Sequence, residues 1–204
     1  DLHSFPTRRS SDLPTDFYTA VDDLSKEDNA GAGMLGNIEF NSSTLYRYAN
    51  VAVHELLGQL ESSEATVNAL KLFVEAFSNS LPMGKVNTFA NQTLPQVLVV
   101  AIREDRPINM VSAFEKPIKS TDGYIIKSIQ KLSDEFKKVE KFVHKPLLVM
   151  YLTFDNIKEL EYIGQEKESL TSLLDDFAKE LSTLMNNYTV GRSEERRVGK
   201  ECRS

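Results

Sequence analysis

The chain has 204 residues, 24 basic and 30 acidic side chains, and one cysteine. That length supports one domain with a real core, and no apolar run approaches the ~20 residues needed to cross a membrane. A lone cysteine excludes an internal disulfide framework, and a net charge of −6 argues against a free-standing nucleic-acid binder.

The two ends read differently from the rest. The first is DLHSFPTRRSSDL and the last is RSEERRVGKECRS. One DNA string, beginning GATCTACACTCTTTCCC, encodes Asp1 to Asp12 and opens the codon of Leu13. Its reverse complement encodes Arg192 to Arg203 and opens that of Ser204. Two unrelated polar tails would not share a string, and the string resembles a sequencing-library adapter. Residues 1–13 and 192–204 are therefore expected to be adapter-encoded and to add nothing to the core. Setting aside their seven basic and five acidic side chains leaves 17 against 25, a net charge of −8. Cys202 goes with them, so Pro14 to Gly191 holds no cysteine. That is compatible with a cytoplasmic setting and leaves no thiolate ligand.

In chain order, Thr15 to Leu24 is a mixed segment with adjacent aromatics, Phe17 and Tyr18. Ser25 to Gly36 is polar and glycine-rich. Glu39 to Val53 has strand character, carried by Phe40, Leu45, Tyr46, Tyr48, Val51 and Val53. Strand propensity on both sides of the glycines predicts a long hairpin-like projection. Its tip is expected over Ala30–Gly36, with Met34 and Leu35 nearby.

Three helices follow from periodicity. Leu70, Phe73, Val74, Phe77 and Leu81 make the first stripe, with Ser62 as its N-cap and Pro82 just past its end. Ile125, Ile129, Leu132, Phe136, Val139 and Val143 make the second, with Lys127, Lys131, Lys137, Lys138 and Lys141 on the outer face. The third spans Ser169 to Asn186 on Leu170, Leu173, Leu174, Phe177, Leu181 and Leu184. Val97–Ile102 and Leu147–Leu152 read as buried strands. Strands alternating with helices in this way predict an α+β domain, one layer of helices on a sheet.

The chemistry-bearing motifs are few. Gly31, Gly33 and Gly36 have the G-x-G-x-x-G spacing, but SKEDNA precedes them and a strand follows, the reverse of a dinucleotide site. A mobile hairpin tip is the better reading. His54 and His144 could act as general acid and base in an RNA-cleaving enzyme, although each sits at an element boundary where a structural role is ordinary. The carboxylate pairs Asp22/Asp23, Glu159/Glu161 and Asp175/Asp176 read as solvated faces rather than a two-metal centre. Arg47, Lys85, Arg103, Arg106, Lys116 and Lys119 are scattered basics. The loop Met83-Gly84-Lys85-Val86-Asn87-Thr88-Phe89-Ala90 mixes a cation, amides and an aromatic, a composition suited to phosphate contact and base stacking.

Several blocks, in order, resemble the CasC family, the backbone subunits of type I-E CRISPR Cascade. They are DFYTAVDDL from Asp16, LGNIEF from Leu35, LYRYAN from Leu45, and AFEK from Ala113 with Lys119 and Asp122-Gly123 after it. The loop from Lys85 to Ala90 resembles the family's lysine-containing loop. The likeness spans most of Asp16 to Ile126.

The resemblance implies a partial RRM-like (ferredoxin-like) palm with a protruding thumb hairpin. The N-terminal palm strands and a finger domain would lie outside this chain. With the adapter-derived tails 1–13 and 192–204 set aside, it divides the rest into thumb and return strand 14–50 and remaining palm with its C-terminal helices 51–191. It implies a cytoplasmic, non-catalytic protein without metal or cofactor. Copies would polymerise along a CRISPR guide RNA beside other Cascade subunits, with the target DNA strand paired to the guide. Sequence reading is then left to base pairing, and the protein holds the backbone. The RNA-binding residues so implied or read are Phe17, Tyr18, Met34, Leu35, Arg47, Lys85, Asn87, Lys116 and Lys119. The alternative is a metal-independent CRISPR RNA-processing endoribonuclease on a similar fold, using His54 or His144.

Overall fold

The computed structural model describes residues 2–4, 15–20, 34–39, 43–84 and 86–201, with side chains at 17, 36–38, 43–84, 86–87 and 89–187. Three short sheets occur in it. Strand β1 (Leu2–Ser4) pairs antiparallel with β4 (Leu45–Arg47). Strands β2 (Thr15–Ala20) and β3 (Met34–Glu39) form an antiparallel ribbon. Strands β5 (Val97–Ile102), β6 (Leu148–Thr153) and β7 (Gln165–Glu166) form the main sheet in the order β5-β6-β7. Its first pair is antiparallel and its second parallel.

The main sheet has helices on both faces. Helix α1 covers Val53–Leu60 and α2 Ser63–Asn79; α6 starts at Leu170, and its backbone runs to Glu201. One face of the sheet buries Leu98 and Met150 against Val67, Leu70 and Val74 of α2 and Leu173, Leu174, Phe177, Leu181 and Met185 of α6. The other face carries Tyr151, packed with Ile129 of α4 (Ile125–Val139) and with Ile157 and Leu160 around α5 (Lys158–Glu161). The expectation of a single helical layer is thus corrected to helices on both sides. The physical reason lies in VLVVAI and LVMYL themselves. Their apolar residues do not alternate with polar ones, which is the pattern of strands buried on both faces.

The first periodic helix forms where its stripe and cap place it. Ser62 is extended, and its hydroxyl accepts a hydrogen bond from the Ala65 N–H at 3.2 Å. Replacing Ser62 by alanine is expected to cost ~1 kcal/mol in chemical denaturation, with Ser62→Asp or Ser62→Asn close to wild type. An alanine variant as stable as the parent would show that the cap contributes nothing. The strand reading of Glu39–Val53 is corrected. Glu39 ends β3, only Leu45–Arg47 pairs among the described residues after it, and Val53 already begins α1. Helix α6 also outruns its expected end at Asn186; among its described side chains the buried apolar stripe runs to Met185.

Candidate nucleic-acid interface

The ribbon has a defined register. Thr15 opposes Glu39, Phe17 opposes Asn37, Tyr18 opposes Gly36, Thr19 opposes Leu35 and Ala20 opposes Met34. Met34 and Leu35 are therefore strand positions next to the connection, not part of its tip. The connecting residues 21–33, with Asp22, Asp23, Gly31 and Gly33, lie outside the described residues. Successive residues of a strand alternate between faces. Phe17 and Leu35 hence share one face of the ribbon, and Tyr18 and Met34 share the other. Phe17 is 71% exposed, so it is not a core residue.

A second region joins two of the sequence blocks that resemble the CasC family. The Tyr46 hydroxyl accepts the Met110 N–H at 3.1 Å, and its ring lies 5.3 Å from that of Phe114. Burial pushes the Tyr46 phenol pKa up. The LYRYAN and AFEK stretches, far apart in sequence, thus meet at the 3₁₀ turn Met110–Phe114. Beyond that turn, the segment carrying Lys116 and Lys119 lies along α4. Lys131 Nζ donates to the Lys116 carbonyl at 2.7 Å, and Lys127 Nζ to the Lys119 carbonyl at 3.3 Å. Two lysines read from sequence as a plain solvated face therefore hold the loop that presents Lys116 and Lys119, both exposed. Nothing in the sequence separates them from their neighbours Lys137 and Lys138, because the signal is the partner loop.

Arg47, Lys116 and Lys119 line one broad open cleft of about 1820 Å³, floored by β5. Arg47 is already engaged there. Its guanidinium donates to the Ser80 carbonyl at the end of α2 (2.6 Å) and stands 4.5 Å from the centre of the Phe77 ring. A cation at a helix C-terminus is favourably placed, so this contact fastens β4 to α2. Asn87 is exposed on a four-residue helix, α3 (Val86–Phe89), within the stretch expected to be a loop; it is not on the cleft wall. Lys85 lies outside the described residues.

The remaining candidates are placed as follows. His54 is exposed in the first turn of α1, with Nε2 3.5 Å from Glu55. His144 is exposed on the turn before β6, and its carbonyl accepts from Arg103 at 2.5 Å. Arg103 also grips Asp105 through two 2.9 Å bonds, holding that carboxyl well below the usual carboxylate range. Asp175 pairs with Lys71 at 2.5 Å and Asp176 with Lys167 at 2.6 Å. The Glu159 carboxylate accepts from Gln130 at 2.9 Å. Among the described residues, no group of three or more His, Cys, Asp or Glu side chains is placed to hold a metal, and no helix is long and apolar enough to cross a membrane.

Comparison with known proteins adds the family. Two solved structures share this fold. One is a CRISPR RNA-guided surveillance complex, 32% identical with a TM-score of 0.74, the match covering 82% of this chain and 65% of that one. The other is a CRISPR RNA-guided surveillance complex, pre-nicking, 32% identical with a TM-score of 0.72, covering 83% of this chain and 46% of that one. The chain thus spans less than two thirds of either. No curated protein matches it. A family model described as CT1975-like protein matches residues 3–178. The matched span begins inside the first end expected to be adapter-encoded and stops short of the second. With most of its length so matched, and with these structural relatives, the chain belongs to the CT1975-like family of CRISPR-associated proteins.

Proposed function

We propose that the chain is the thumb and part of the palm of a non-catalytic backbone subunit that polymerises along a CRISPR guide RNA. In this reading the main sheet belongs to an RRM-like palm, and β2–β3 is the thumb that crosses the guide. The partners are the guide, the target DNA strand paired to it, further copies of the chain and other surveillance-complex subunits, all in the cytoplasm. The observation that carries the proposal is the β2–β3 register, which puts an aromatic residue on each face of a narrow ribbon, Phe17 with Leu35 on one and Tyr18 with Met34 and Ile38 on the other. A two-stranded ribbon with apolar residues on both faces has no internal core to bury them in. It suits insertion between neighbouring bases, where unstacking costs a few kcal/mol per step and aromatic contact returns roughly 1–3 kcal/mol per base. Membership of the family and likeness to subunits of RNA-guided complexes support the same reading.

The register also sets the design of the test. Phe17→Ala with Leu35→Ala removes the aromatic and the long apolar side chain of one face, and Tyr18→Ala with Met34→Ala removes the aromatic and the apolar residue next to the connection on the other, leaving Ile38. Each pair is to be made in the full-length protein, assembled on guide RNA and probed base by base with a reagent for unstacked nucleotides. The wild type should show bases exposed at regular intervals, and at least one face variant should flatten that pattern. A full-strength periodic pattern in both variants, with assembly intact, would remove the wedge assignment.

A further inference from the structure

We propose that the turn joining α4 to β6, residues 139–146, is a second contact for single-stranded nucleic acid, with Phe142 as a stacking platform and Lys138, Lys141 and Lys145 as phosphate partners. It goes beyond the thumb reading and shares with it only the premise that this protein meets nucleic acid.

The sequence from Lys137 to Lys145 is KKVEKFVHK, four lysines against one glutamate in a chain that is acidic overall. Phe142 sits in the middle and is 91% exposed, more than any other large apolar residue among those described. An exposed ring forgoes the stabilisation that burial brings, and here the backbone gives it no route inward. The amides of Lys141 and Phe142 bond back to the carbonyls of Lys138 (3.2 Å) and Val139 (3.0 Å), and Val143 bonds to Val139 as well (3.2 Å). Arg103, only 11% exposed, clamps the far side through the His144 carbonyl, while Asp105 and the Arg106 carbonyl hold its guanidinium in place. Leu147 is then tied to the Ile102 carbonyl at 2.8 Å. The ring is presented on a fixed turn, so little ordering is left for a ligand to impose.

The surrounding charge selects the ligand. Lysine is depleted at the centres of protein–protein interfaces, whereas aromatic platforms flanked by cations are the usual means of holding single strands. Lys138 pairs with Glu135 at 3.1 Å and Lys145 with Glu140 at 3.7 Å, but the two lysines are 67% and 74% exposed. Lys145 and Glu140 meet near the surface, where such pairs are weak and exchange readily for a phosphate; Glu135 is buried but also accepts from the Ser112 hydroxyl at 2.6 Å, so it keeps a partner when Lys138 turns to a ligand. Lys141 has no ion-pair partner among the described residues, is exposed, and directly precedes Phe142 in sequence.

The chain contains no tryptophan, so Phe142→Trp installs a sole indole reporter at the site. The full chain carrying it is titrated with an unstructured uridine oligonucleotide and with a thymidine one of equal length. Saturable quenching is expected. Stronger response to the RNA would point to the guide, and stronger response to the DNA to the target strand. Lys141→Gln on that background should weaken binding severalfold and lower the salt slope by about one unit at most. Phe142→Ala should weaken it about fivefold or more, with an unchanged melting temperature. Filter binding of the same oligonucleotides is measured in parallel. Binding by filter with a silent indole would overturn this proposal and leave the thumb reading standing. Absence of binding by either measure would count against both. A blue shift that follows protein concentration or added surveillance-complex subunits, with no response to nucleic acid, would overturn it in favour of a protein contact.

Discussion

Replacing Phe177 by alanine is expected to lower the stability of the chain by about 3–5 kcal/mol, with a fall in melting temperature of roughly 10 °C. Phe177 is 5% exposed and belongs to the cluster that joins α2, α6 and the inner face of the main sheet. Its ring fills space between elements that cannot close independently, because α2 and α6 pack on each other and on the same face of the sheet. The loss is large against the 5–15 kcal/mol of a typical domain. Phe177→Leu, which keeps most of the volume, should cost less than half as much. Leu72→Ala, on the outer face of α2 and 64% exposed, should stay within about 0.5 kcal/mol of wild type. Denaturation midpoints of the three variants check the ranking. An alanine variant no weaker than the leucine one would show that the cluster does not hold the layers together.

The second large effect is expected at Gly164. A Cβ there would lie 2.7 Å from Val149 Cβ and 2.8 Å from the Val149 carbonyl carbon, and closer still to the Val149 oxygen. These are mainly backbone atoms of the central strand, which cannot turn aside as a flexible side chain could. Gly164→Ala must therefore push β7 away from β6, at about 1–3 kcal/mol. The damage should be local first. The Lys167 N–H, bonded to the Tyr151 carbonyl at 2.8 Å, should lose its protection from amide exchange, while the amides of Leu98 and Val100 keep theirs. Unchanged protection at Lys167 together with an unchanged unfolding midpoint would mean that the sheet absorbs the methyl group without separating.

How much of this was legible in advance varies by element. The stripes of α2, α4 and α6 were, because each repeats an apolar residue every three or four positions for several turns. Strands β5 and β6 stood out as apolar runs of strand length, although reading them as covered on one face ignored their lack of alternation. Helix α1 was hidden. Val51 and Val53 carry strand propensity, and its eight residues allow barely two turns of pattern. The two-residue β7 is set by Gly164 meeting Val149, a contact no local signal announces. In the candidate interface, a hairpin around the glycine-rich stretch was legible, but its return strand was expected over Glu39–Val53 and forms at Met34–Glu39, partly over residues read as the tip. The register of the two strands was not legible, and the register is what separates Phe17 and Leu35 from Tyr18 and Met34. Arg47 looked like any exposed cation until Phe77 and Ser80 were placed beneath it.

The packing of α2 against α6 carries a consequence for synthesis. Lys71 and Asp175, which pair across that contact, are 104 residues apart in sequence. A ribosome adding about 5–20 residues per second leaves the apolar stripe of α2 without its cover for roughly 5–20 s. Contacts at such separation also fold slowly, since a long loop must close before they form. The nascent protein therefore displays Leu70, Phe73, Val74 and Phe77 to solvent for many seconds. The yield of folded chain should accordingly depend more on chaperone supply and growth temperature than its final stability would suggest.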